Sequence, residues 1–125
     1  MRAWLKGKMI LIAVAITLSL VILSLMKIPA HNLGVTHLDK WQHFFAYFVL
    51  SISWLIVFYK RKKKLLVVIC CILLGVIIEI LQNTLTSYRT GDYNDVIANS
   101  LGVLLGLFVV NKIGTKIEVK KRKDL

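Results

Sequence analysis

The chain has 125 residues, a hydrophobic content of 58% and a formal net charge of +11. Soluble domains contain about 45–50% apolar residues, so this composition excludes an ordinary soluble protein. The length suits a single domain over residues 1–125. Cys70 and Cys71 are adjacent within an apolar run, which excludes a disulfide framework.

Four apolar segments, taken in chain order, predict four transmembrane helices. They cover residues 9–26, 41–59, 65–88 and 94–111, and a basic C-terminal tail follows over residues 112–125. The first segment has eighteen uncharged residues, which is longer than the apolar region of about 7–15 residues in a cleaved signal peptide. We therefore expect an all-α, polytopic membrane protein whose four helices form a compact bundle.

Positive charge is concentrated in alternate connections between these segments. The N-terminal lead, residues 60–64 and the tail together hold fourteen of the seventeen Lys and Arg. The positive-inside rule then predicts that both termini are cytoplasmic. The basic character reflects membrane topology and contact with anionic lipids, so we predict the lipid bilayer as a partner and no nucleic acid.

Polar residues recur at spacings of three and four on the last three helices, which places them on one face of each helix. All of these faces are expected to meet at the extracytoplasmic side of the bundle, because exposure of polar groups to lipid costs several kcal/mol each. The predicted polar cluster consists of Asp39, Lys40, His43, Tyr47, Glu79, Gln82, Arg89, Asp92, Asp95 and Asn99.

Three glycines lie on the third and fourth predicted helices, near the polar residues. Gly102 and Gly106 form a GxxxG motif, which permits close approach of another helix backbone, and Gly75 lies one turn before Glu79. We predict helix packing as the role of all three glycines.

Glu79 is the strongest candidate for a functional residue. Ionisable groups are uncommon within membrane-spanning segments, and a functional role is the first hypothesis for any that occurs there. Arg89 or Lys40 is the expected partner of Glu79. Structural roles also fit individual residues: Asp92 and Asp95 have the spacing of a helix N-cap and its N3 residue. A lone histidine such as His43 is more often structural.

The ordered motifs DKWQHFFAYFVLS (39–51), EILQ (79–82) and RTGDYNDVIANSLGVLLG (89–106) resemble VanZ-like membrane proteins. The resemblance implies a small, four-helix, multi-pass protein of the bacterial inner (cytoplasmic) membrane, in a family whose founding member is associated with teicoplanin resistance. The positions that match the family pattern are Asp39, Lys40, His43, Glu79, Gln82, Arg89, Asp95, Asn99 and Gly102.

Two classes of function stay open at this point. The first is binding of a glycopeptide or a lipid-linked cell-wall precursor, which lowers antibiotic susceptibility. The second is an intramembrane enzyme with His43, Glu79 or Asp95 as acid or base. Asp39 and these three residues include ligand types of a divalent metal, so a metal-assisted reaction is a variant of this second class. No HExxH or CxxC spacing supports it, so we assign no metal site. The residues identify no cofactor, and four spans disfavour transport.

Overall fold

A computed structural model of the chain describes residues 3–25, 38–59, 62–85 and 93–124. No strand occurs within these ranges. The described residues form four α-helices: α1 (Ala3–Leu25), α2 (Leu38–Val57), α3 (Lys64–Leu85) and α4 (Tyr93–Lys123). The all-α fold predicted from the sequence is confirmed.

Three helices are long and apolar enough to cross a membrane, over Ala3–Leu25, Lys64–Thr84 and Asn94–Lys116. The apolar part of α2, Trp41–Val57, is shorter, and at helical rise it covers about 25 Å of a bilayer core of about 30 Å. Large apolar side chains on every helix face outward, among them Leu11, Phe45, Leu73 and Leu104. Such a surface suits contact with lipid tails, so the chain is a multi-pass membrane protein.

The bundle is organised around α2, which contacts the three other helices and packs most extensively against α4. Leu50 and Leu55 of α2 are fully buried and belong to the same hydrophobic core as Val67 of α3 and Val103 of α4. The Trp54 indole N–H on the same helix donates a hydrogen bond of 2.9 Å to a threonine hydroxyl on α1. The position of α2 therefore determines how the other helices align in depth.

Successive helices run in opposite directions, so the bundle has two chemically different ends. The first, which we call the polar end, contains the C-termini of α1 and α3 and the N-termini of α2 and α4. The second, the basic end, contains the start of α1, the α2–α3 connection and the end of α4. Apart from Lys40, the described lysines lie there, including Lys6, Lys8, Lys62, Lys63, Lys64, Lys112, Lys116, Lys120 and Lys123.

Two helix bounds differ from those predicted by more than three residues. α1 begins at Ala3 instead of residue 9, and α4 continues to Lys123 instead of ending at residue 111. Gly114 is buried where an added Cβ would overlap the Tyr59 ring, so α4 still packs on α2 beyond the apolar segment. The residues that follow are mainly good helix formers and include no proline, which allows the predicted tail to extend the helix.

Candidate functional site

Three ionisable side chains from three different helices converge at the polar end. His43 of α2, Glu79 of α3 and Asp95 of α4 each offer a nitrogen or oxygen atom, and these atoms all lie within 4.8 Å of one another. We call these residues the His–Glu–Asp cluster. The side chains of Glu79 and Asp95 are buried, and His43 is partly exposed. The cluster is thus largely enclosed by the bundle.

Within the cluster, His43 Nε2 and Asp95 Oδ2 are 3.8 Å apart. This distance is longer than a hydrogen bond between nitrogen and oxygen. It is short enough for a single intervening atom to contact both groups. The His43 side chain is 16% exposed and that of Asp95 is 8% exposed, so the imidazole is the more accessible of the two.

A second polar layer lies one helical turn deeper in the bundle. Tyr47 follows His43 on α2 and Asn99 follows Asp95 on α4, and both side chains are 1% exposed. An added Cβ at Gly75 would lie 3.1 Å from Asn99 Nδ2 and 3.3 Å from Tyr47 Cε1. Gly75 therefore leaves the space in which these two polar side chains pack beneath Glu79.

The Tyr47 hydroxyl and Asn99 Oδ1 have no hydrogen-bond partner among the described residues. Buried polar atoms are almost always paired, because desolvation without a partner costs about 1–3 kcal/mol. These two atoms therefore provide hydrogen-bonding capacity next to the His–Glu–Asp cluster.

Helix α1 closes the site on its remaining side. The Gln82 side-chain amide on α3 donates a hydrogen bond of 2.7 Å to the Ser24 backbone carbonyl near the end of α1. A cavity of about 360 Å³ lies between the C-terminal end of α1 and the N-terminal part of α2. It is lined by Leu20, Leu23, Ser24, Gln42, His43, Ala46 and Tyr47. The cavity gives a small ligand group a route to the imidazole and the phenol.

The seam between α2 and α4 sets the separation of His43 and Asp95. A Cβ at Gly102 would overlap the Phe44 carbonyl oxygen, and a Cβ at Gly106 would overlap the Ser51 hydroxyl. Gly102 therefore permits an approach of the two backbones that a larger residue would prevent, whereas a larger residue at Gly106 would require the Ser51 side chain to move. Because Phe44 is adjacent to His43 along α2, this approach also holds the imidazole close to Asp95.

The structure thus brings together six of the predicted cluster residues, His43, Tyr47, Glu79, Gln82, Asp95 and Asn99, at the polar end. Asp39 and Lys40 lie in the first turn of α2, but their side chains are outside the described residues. Arg89 and Asp92 also lie outside the described ranges. The predicted pairing of Glu79 with Arg89 or Lys40 accordingly stays a prediction.

Sequence reasoning did not identify the contribution of α1. Ser24 acts through its backbone carbonyl, which every residue type possesses, so no residue pattern could have indicated it. Sequence motifs also gave no support for a metal site, because motifs such as HExxH consist of ligands that are close in sequence. The three members of the His–Glu–Asp cluster come from three helices and leave no such motif.

The described part of the site has the chemistry of an acceptor-rich, acidic pocket. Two carboxylates and an imidazole can bind a cation, accept hydrogen bonds from a ligand, or exchange protons with a bound group. The bundle holds them on three packed helices, and the glycine seam fixes α2 and α4 relative to each other. Such rigid support is what a binding or catalytic site requires.

Comparison with known proteins gives a family but no individual relative. The family model of VanZ/LLP1 matches residues 8–114, which include all of α2 and α3, most of α1 and α4, and every residue of the described site. Comparisons with curated proteins and with solved structures gave no significant match. The match covers well over half of the chain, and it agrees with the resemblance carried by the motifs around His43, Glu79 and Asp95. The chain therefore belongs to the VanZ/LLP1 family.

Proposed function

We propose that this protein acts at the outer face of the bacterial cytoplasmic membrane. There its polar end binds a cell-envelope ligand, such as a lipid-linked wall precursor or a glycopeptide, and lowers susceptibility to antibiotics such as teicoplanin. The observation that carries this proposal is the convergence of His43, Glu79 and Asp95 from three helices into one largely buried cluster. Membership of the VanZ/LLP1 family is consistent with it.

The energetics of the cluster favour function over scaffolding. A carboxylate inside the membrane region is costly, and replacing such groups with apolar residues would often stabilise the fold. As whole residues, Glu79 and Asp95 are nevertheless each only 6% exposed at the level where the helices converge. Asp95 lies in the first turn of α4, where an acidic side chain also suits the helix N-terminus. A purely structural bundle has no such need of Glu79, whereas a binding site does.

The distribution of charge supports the outward placement of the site. The lysines of the basic end are typical of a cytoplasmic face, and the cluster lies at the other end of the helices. The cavity beside His43 and Tyr47 has a volume of about 360 Å³. That volume suits a head group or sugar unit, since small-molecule sites typically measure about 300–1,000 Å³.

A binding experiment with the purified protein tests this proposal. The protein in detergent is titrated with teicoplanin and with lipid-linked wall precursors, and the titrations are repeated with Glu79→Gln and with Asp124→Asn, a carboxylate control at the basic end. We expect saturable binding of one ligand class that Glu79→Gln weakens and Asp124→Asn leaves unchanged. Absence of binding, together with unchanged antibiotic susceptibility on expression in a sensitive bacterium, would refute the proposal.

An intramembrane enzyme is the second candidate function, and one observation favours it. The imidazole and both carboxylates lie within 4.8 Å of one another, which is close enough for proton transfer through one bound group. Chemical change of a lipid-linked substrate during incubation with the protein would favour this candidate. Recovery of unchanged ligand from the complex would favour binding alone.

A further inference from the structure

The His–Glu–Asp cluster has the ligand separations of a metal site. Three ligands of a four-coordinate zinc ion lie about 2.0–2.2 Å from the metal, which places them about 3.3–3.6 Å from one another. His43 Nε2 and Asp95 Oδ2 are 3.8 Å apart, and all three ligand atoms lie within 4.8 Å. Small side-chain rotations would therefore bring the three atoms to coordination distance without movement of the helices.

The chemistry of the three ligands selects the class of metal. Imidazole nitrogen suits zinc and its neighbours in the first transition row, and carboxylates bind these ions as well as manganese. Three protein ligands also leave one coordination position for an exchangeable group, as in catalytic zinc sites, whereas structural sites have four protein ligands.

The deeper polar layer provides an independent indication of a ligand. The Tyr47 hydroxyl and Asn99 Oδ1 are buried one turn from His43 and Asp95, without a hydrogen-bond partner among the described residues. Metal ligands are commonly oriented by such neighbouring hydrogen-bonding groups, which hold the coordinating atoms in place.

Access to the open coordination position is provided from one side. His43 lies on the wall of the cavity between α1 and α2, together with Tyr47 and Gln42. Its side chain is also more exposed than that of Asp95. A ligand that enters through this cavity therefore reaches the cluster at the imidazole, before it reaches the more deeply buried carboxylates.

From this geometry we propose that His43, Glu79 and Asp95 bind one divalent transition-metal ion, for which Zn²⁺ is the best chemical match. The open position faces the α1–α2 cavity and accepts an anionic oxygen of the envelope ligand, from a phosphate or a carboxylate. The metal site lies in the same pocket as the proposed ligand-binding site. The proposal for its anionic ligand rests on the proposed function. The metal would add positive charge beside the two carboxylates, which favours an anionic group at the open position.

Direct measurement of metal binding tests the site without any antibiotic or wall precursor. The purified protein in detergent is stripped with a chelator, titrated with Zn²⁺ alone and analysed for bound metal after dialysis. We expect one Zn²⁺ per chain, with affinity lowered at least about tenfold in His43→Gln, Glu79→Gln and Asp95→Asn. Asp124→Asn is the matched control and should bind as the parent does. Cobalt substitution should give the intense visible absorption of a four- or five-coordinate ion.

The Zn²⁺ titration of the unmodified protein tests the proposed metal site even if a variant fails to accumulate in the membrane. Saturation with neither Zn²⁺ nor Mn²⁺ would overturn the proposal, as would equal binding by the parent and by folded cluster variants. If metal binding is absent while Glu79→Gln still abolishes ligand binding, the metal site fails and the proposed function stands. If the metal binds but no envelope ligand does, the metal site stands and the proposed function fails.

Discussion

Replacement of Gly102 by alanine tests whether the α2–α4 seam holds the site together. The added Cβ would overlap the Phe44 carbonyl oxygen and would lie 3.1 Å from the Phe48 backbone nitrogen. Both atoms belong to the α2 backbone, which cannot rotate aside as a side chain does. We expect α4 to withdraw by roughly 1 Å to restore normal contact distances, and overpacking of this kind costs about 1–3 kcal/mol of unfolding free energy.

The same withdrawal would separate the members of the His–Glu–Asp cluster. His43 is adjacent to Phe44, and Asp95 lies two turns before Gly102 on the helix that moves. Gly102→Ala should therefore lower both the thermal unfolding temperature in detergent and the affinity for Zn²⁺.

Gly7→Ala is the matched control, because nothing lies within 4 Å of a Cβ at that position. Alanine is favoured over glycine in a helix by up to about 1 kcal/mol, so Gly7→Ala should be neutral or stabilising. Equal stability of the two variants would refute this account of the seam.

Two further predictions concern topology and the deeper polar layer. A cysteine introduced in place of Lys62, in a background that lacks Cys70 and Cys71, should react with a permeant reagent but resist an impermeant one in intact cells, because the basic end is expected to be cytoplasmic. Strong labelling from outside would invert the orientation. Tyr47→Phe preserves the ring and removes the hydroxyl, so it should lower Zn²⁺ affinity about tenfold with little loss of stability. Unchanged affinity would exclude the phenol as a group that orients the ligands.

The sequence was sufficient to predict the helices and the faces on which their polar residues lie. The spacing of His43 and Tyr47, and that of Asp95 and Asn99, follows from helical periodicity alone. The apolar segments likewise predicted four helices, because each is long and nearly free of charge. Helix formation and the face on which a side chain lies depend on residues that are close in sequence, so both can be predicted from local sequence patterns.

The sequence could not predict the distances between the helices. The relative depth of α2 and α4 depends on the contact of Gly102 with the Phe44 carbonyl, a non-local contact that the GxxxG motif permits but does not assign to a partner. Only that alignment brings His43 and Asp95 to 3.8 Å. The end of α4 was placed too early for a related reason, since the contact of Gly114 with Tyr59 lies outside the apolar pattern.

The most direct test of the central claim, that the buried cluster serves function and not only packing, is the substitution Glu79→Gln. This change nearly preserves volume and hydrogen bonding while it removes the charge, and removal of a buried charge can even stabilise the fold. Membrane abundance, thermal stability in detergent and antibiotic susceptibility are measured together, with Asp124→Asn as the control and Asp95→Asn as the parallel variant. We predict normal abundance and stability with loss of the protective effect on expression. Full protection by both Glu79→Gln and Asp95→Asn would contradict the account and leave a structural role for the cluster.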